Sequence, residues 1–140
     1  MMRTADGTVY EAENTSLGAA SFNVASSNKW AVSNVGLFFN AESPAYVRNS
    51  LAQVTRTTTP ELFQTSRISP GSLRYYGLGL ENGPYTVNML FAETVFKDRS
   101  SQTWESLGRR VFDIYIQVRK VKRNSKLFNI EVETLKYFFK

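Results

Sequence analysis

The sequence predicts an all-β protein, an antiparallel β-sandwich of jelly-roll type. Three observations predict it. Aromatic residues make up 14% of the 140 residues, with ten Phe, seven Tyr and two Trp. Together with frequent β-branched residues they favour pleated, half-buried surfaces over helices. Apolar side chains alternate at a period of two in segments 85–93, 109–117 and 127–133, the repeat of a strand. Clusters of Gly, Asn, Ser and Pro separate short segments along the chain, as in sandwiches and jelly rolls. The length suits one domain spanning 1–140.

Each element follows from local pattern. Weak strands are expected at 8–12, 30–36 and 61–68. Residues 44–56 are expected to hold a short helix after Ser43-Pro44, because Pro suits a first helical turn. The strongest signal lies at 73–93. Leu73 to Leu80 reads as one strand, and Tyr85 to Glu93 reads as a second. Asn82-Gly83 between them predicts a hairpin, since both residues tolerate positive φ. Tyr85, Val87, Met89 and Phe91 share one face. In 109–117, Phe112, Ile114 and Ile116 point one way, and Val111, Asp113, Tyr115 and Gln117 the other. Residues 97–108 form a polar connection, and 127–133 alternates again.

Charge is uneven. Residues 1–96 carry six Lys/Arg and seven Asp/Glu, whereas 97–140 carry eleven and five. The densest run is Arg119-Lys120-Val121-Lys122-Arg123-Asn124-Ser125-Lys126. A basic run attracts phosphates, but this one holds no aromatic to stack a base. It reads as a solvated hairpin loop, and no nucleic-acid partner is expected.

Several function classes are excluded. With no Cys and no His, there is no disulfide framework, Cys/His zinc site, Ser-His-Asp triad or Cys-His dyad. The nucleotide and EF-hand motifs are missing, so neither cofactor nor metal is expected. No apolar run approaches the roughly 18 residues of a membrane helix, and the N-terminus shows no signal-peptide core. Glu93 and Asp113 could in principle form a glycosidase pair, but carboxylates in strands more often meet Arg, and Arg109 and Arg110 lie close in sequence.

The informative constellation is aromatic. Tyr75, Tyr76, Phe91, Phe96, Trp104 and Phe112 lie on two strong strand segments and their outgoing loop. A sugar ring packs its C–H face on an aromatic ring and offers its hydroxyl rim to carboxylates, amides and guanidinium groups. Glu93, Asn88, Asp113 and Arg109 supply that chemistry locally. Asn14-Thr15-Ser16 is the one N-x-[ST] sequon of the chain.

The same residues carry a family resemblance. Trp30-Ala31-Val32-Ser33-Asn34-Val35-Gly36, Glu61-Leu62-Phe63-Gln64-Thr65-Ser66-Arg67 and Ser72 to Gly83 occur in this order. Tyr85-Thr86-Val87, Phe91-Ala92-Glu93 and Trp104 to Tyr115 follow. Over roughly 8–133 the chain resembles the malectin domain of plant leucine-rich-repeat receptor-like serine/threonine kinases. The resemblance implies a malectin-like β-sandwich on the extracellular side of the plasma membrane. It implies a noncatalytic module that binds cell-wall or glucose-type oligosaccharides, or a structural module that contacts other receptor ectodomains. With no long apolar run, no membrane insertion is expected of this chain itself. The ligand-binding candidates are the aromatics Tyr75, Tyr76, Phe91, Phe96 and Phe112, with Glu93 and Asp113 available to hydroxyls; Phe96 also falls, by motif, where animal malectin carries a ligand aromatic, and Asn14 of the sequon is the glycosylation candidate. Val95 and Ile68 stand where animal malectin, which binds short glucose oligosaccharides, has tyrosines. Against the family pattern, a first strand and the final strands are expected to be missing. The stop at Leu135-Lys136-Tyr137-Phe138-Phe139-Lys140 leads to the expectation of a truncated domain.

Overall fold

A computed structural model describes residues 2–12, 18–39, 46–51, 53–54, 57–94, 110–117, 119–127 and 131–139, the stretches 120–127 and 131–139 by their backbone. Among these residues there is no α-helix, and the sheets are antiparallel. The all-β, antiparallel reading of the β-sandwich class therefore holds. The chain divides into two compact units. One comprises residues 1–51 and 64–80, the other 52–63 and 81–140.

The first unit opens with β1 (Met2–Arg3) paired to β2 (Val9–Tyr10). Its centre is a three-stranded sheet in the order β3 (Ala20–Val24), β4 (Trp30–Val35), β7 (Ser72–Gly77). β5 (Val47–Asn49) pairs with β6 (Thr65–Arg67). Ala31 and Val32 of β4 are buried, as is Tyr46, whose hydroxyl donates to the Gly36 carbonyl at 3.1 Å. Asn34 is 0% exposed. Its Nδ2 donates to the Gly18 carbonyl at 2.8 Å, and its Oδ1 accepts from Ser21 Oγ. A buried amide keeps its place only when paired in this way.

The exit from β4 is a close crossing. Gly36 has φ +135, and a Cβ there would stand 2.6 Å from Gly71 N. A Cβ on Gly71 would meet the Val35 carbonyl. Only glycine fits both the conformation and the approach. Ser69 Oγ donates to the same Val35 carbonyl at 2.9 Å.

The second unit holds a 3₁₀ turn (Pro60–Phe63) with Phe63 buried, and two ladders. β8 (Gly83–Phe91) pairs over its full length with β11 (Glu131–Phe139), from Phe91 opposite Glu131 to Gly83 opposite Phe139. β9 (Arg110–Ile116) pairs with β10 (Arg119–Leu127). Along β8, residues 83, 85, 87, 89 and 91 are half-buried and the others exposed, as the alternation predicts. On β9, Phe112 is half-buried and Ile114 and Ile116 are buried, while Val111, Asp113 and Tyr115 are exposed.

Four expectations are corrected. Within 44–56 the described residues include a strand, not a helix: Val47-Arg48-Asn49 pair with Arg67-Ser66-Thr65. Segment 61–68 begins as a 3₁₀ turn because Pro60 fixes the φ of its first position, and only 65–67 is extended. Asn82-Gly83 does not close a hairpin, because β7 pairs with β4 and β8 with β11. The chain turns earlier, where the Leu78 amide donates to the Lys29 carbonyl at 2.7 Å. The basic run is a strand rather than a loop. Ile116 stands opposite Arg119, Gln117 takes φ 53, and β10 follows with register shifts at Lys120/Lys122 and Lys122/Ser125. Charge reports solvation, and a strand can be as solvated as a loop.

Candidate functional site

The alternation of β8 and β9 brings part of the expected cluster together. Phe91 closes β8 and Phe112 lies on the half-buried face of β9. Their ring centroids are 5.1 Å apart with an interplanar angle of 36°, within the range of favourable aromatic pairs. Two residues beyond Phe91, Glu93 reaches the start of β9, where its Oε2 accepts from Arg110 Nε at 2.8 Å. The Glu93 side chain is 2% exposed. A ring pair and an ion pair thus join the two ladders of the second unit. The arginine partner foreseen for Glu93 is Arg110. In this pair the guanidinium donates and the carboxylate oxygen accepts.

Period two divides the rest. Adjacent residues of a strand face opposite sides, so Asp113 stands on the exposed face of β9, away from Phe112. Tyr75 and Tyr76 likewise split between the faces of the three-stranded sheet in the first unit. Tyr76 stands opposite Ala31 and Tyr75 opposite Val32. Tyr76 meets Phe22 edge-on, at 6.1 Å between centroids. Phe96 and Asn14 lie outside the described residues, as do Trp104 and Arg109.

Two aromatics that the sequence reading did not single out are prominent. Phe22 on β3 is 63% exposed and Trp30 at the start of β4 is 50% exposed. Trp30 follows the β3–β4 turn, which a carboxylate organises. Glu11 accepts from Ser26 Oγ at 3.0 Å, Ser27 N at 2.9 Å and Ser27 Oγ at 2.7 Å. Those bonds, Ser27's side chain first, hold the Glu11 carboxyl below its ordinary value, and the Lys29 charge adds to them. Asn28 takes φ 57 at the tip, a conformation Asn adopts more readily than most residues. Trp30 stands opposite Gly77, which leaves room for an indole ring.

Among the described residues, no group of three Asp or Glu side chains is placed to hold a metal ion. Among the described residues no helix is long and apolar enough to cross a membrane.

Comparison with known proteins follows this geometry. The family model described as "Malectin domain" matches residues 1–136. The chain is similar to three probable LRR receptor-like serine/threonine-protein kinases of Arabidopsis thaliana. It is 48% identical to At1g56140 over 123 residues, 88% of this chain and 12% of that protein. It is 47% identical to At1g56130 over 122 residues, 87% and 12%. It is 36% identical to RFK1 over 123 residues, again 87% and 12%. The chain therefore spans about 12% of the length of these curated relatives. No solved structure matches it.

Proposed function

The chain belongs to the malectin-domain family, and from that premise we propose that it is a noncatalytic carbohydrate-binding module of a receptor-type ectodomain. The observation that carries the reading is the family match over residues 1–136. The joined ends of β8 and β9 add chemical support. Phe91 and Phe112 form a packed aromatic pair and Glu93 is fixed beside it by Arg110, while Asp113 faces the other side of β9 and is not part of this cluster. Phe96, five residues after Phe91, is the ring proposed to stack on a sugar. The ligand class is a neutral cell-wall or glucose-type oligosaccharide, and the location is outside the cell.

Catalysis is not part of the reading, because Glu93 is committed to Arg110. The test is a glycan array followed by calorimetric titration, with hydrolysis of a labelled oligosaccharide assayed in parallel. Binding without turnover supports the module. Turnover that is lost in Glu93→Gln would overturn its noncatalytic character.

A second reading has its own observation. Phe22, Val24, Val35 and Tyr76 share one face of the three-stranded sheet and are all exposed. Exposed apolar patches mark interaction surfaces. A protein-interaction module without sugar binding would show no glycan on the array. It would show association with a receptor ectodomain that Phe22→Ser weakens.

A further inference from the structure

One end of the three-stranded sheet is built differently from the cluster just described. Trp30 and Val32 are two apart on β4 and so project from the same face. Val32 stands opposite Tyr75 and Trp30 opposite Gly77, which places Tyr75 diagonally beside Trp30 on that face. A Cβ on Gly77 would stand 2.5 Å from Leu80 Cδ1 and 3.3 Å from Trp30 Cζ3. The six-membered ring of Trp30 thus rests over a position kept bare by glycine, beside Leu80. It is supported from below and still half exposed. Tyr75 is 57% exposed.

The turn that sets Trp30 in place is held three ways by Glu11 and cross-linked to the next turn by the Leu78–Lys29 bond. Ser27, Asn28 and Lys29 precede Trp30 directly in this turn, with the Ser27 hydroxyl engaged by Glu11. An aromatic surface held by such a turn before a ligand arrives loses little entropy on binding.

We propose that Trp30 and Tyr75 form a stacking platform for a neutral oligosaccharide at the turn end of the three-stranded sheet, a site that rests on the carbohydrate reading above and lies outside its Phe91–Phe112 cluster. Area and charge choose this occupant. An aromatic side chain contributes roughly 150–250 Å² when fully covered, so two half-exposed rings offer about 200 Å². A protein partner needs roughly 800 Å² per side. A nucleic acid needs a row of cations, and the turn 25–29 holds Lys29 as its cation. Diagonal neighbours on a sheet sit about 7–8 Å apart, which lets two sugar units of one chain rest on the two rings.

The test uses the full chain with Trp104→Phe, so that Trp30 is the remaining tryptophan. Linear glucose, xylose and mannose tetra- to hexasaccharides are titrated. Tryptophan emission, acrylamide quenching and calorimetric affinity are read for this chain, and affinity is read again after adding Tyr75→Ala or Trp30→Ala. The expected result is a sugar-dependent emission shift and protection from quenching. A fall in affinity of about fivefold to tenfold is expected in Tyr75→Ala at unchanged melting temperature. If Trp30→Ala fails to fold, the emission and quenching of intact Trp30 still decide. A chain that binds a sugar with unaltered Trp30 quenching and unaltered Tyr75→Ala affinity overturns the platform and leaves carbohydrate binding standing. The unmodified chain is titrated in parallel, and if it binds no member of the panel the carbohydrate reading is overturned, and the platform with it.

Discussion

Single residues carry much of the order in the first unit. Glu11 is the clearest case. Its folded carboxyl titrates below the ordinary value, so the contribution is present above the unfolded glutamate pKa, about 4.3. It is lost as pH falls through the lower folded value. Acid titration followed by the amide shifts of Ser26 and Ser27 should show the β3–β4 turn loosening below pH of about 4, and Glu11→Gln should remove that step. An unchanged acid step in Glu11→Gln would assign it elsewhere. Asn34 is buried with both ends of its amide engaged. Asn34→Leu leaves the Gly18 carbonyl and Ser21 hydroxyl unmatched and should cost about 1–3 kcal/mol, read as a lower midpoint in denaturant. Gly36→Ala meets both a positive φ and the Gly71 backbone. It should destabilise more than the roughly 1 kcal/mol typical of a substitution, because backbone on the far side cannot yield as a flexible side chain would.

At the scale of elements, legibility followed which side chains faced inward. β8 and β9 were readable because their apolar residues face the half-buried side. Ile114→Ala should accordingly cost about 2–5 kcal/mol, and a smaller loss by chemical denaturation would mean that the site collapses around the gap. β3 was not readable. Its five residues do alternate, but Ala20, Phe22 and Val24 face outward and Ser21 and Asn23 inward, so the alternation does not mark the buried face. β10 hid behind its charges. The Asn82-Gly83 signal misled: neither residue takes a positive φ, the glycine that does is Gly79, and Gly83 begins β8. Pairing was misread with it, because a turn dipeptide carries a local φ preference and not which strand lies alongside. The same limit governs the candidate site. Residue types around Phe91 and Phe112 were legible from alternation, and Phe91 and Phe112 do meet. Tyr75 and Tyr76 were grouped because they are adjacent, yet adjacency in a strand sends them to opposite faces. Trp30 was passed over because its exposure depends on Gly77, a residue 47 positions away that only the register brings opposite.

At the scale of the whole molecule, the extracellular reading makes a chemical prediction. Asn14 belongs to the one sequon. Protein recovered from a secretory pathway should carry a glycan there, shown by a mass shift that an amidase removes and Asn14→Gln abolishes. An unmodified Asn14 in secreted protein would count against exposure of that segment to the glycosylating enzyme. Phe96→Ala is expected to weaken oligosaccharide binding by about 1 kcal/mol while the melting temperature stays nearly level; a large fall in melting temperature would return Phe96 to the core. The pairing of β8 with β11 has a consequence in time rather than in space. Phe91 meets Glu131 and Gly83 meets Phe139, so β8 leaves the ribosome at least 40 residues before its partner. At roughly 5–20 residues per second of synthesis, the second unit waits seconds with an apolar, unpaired strand on view. Its yield in a cell should therefore depend on what shields that strand during translation, and slowing elongation between residues 91 and 131 should lower it.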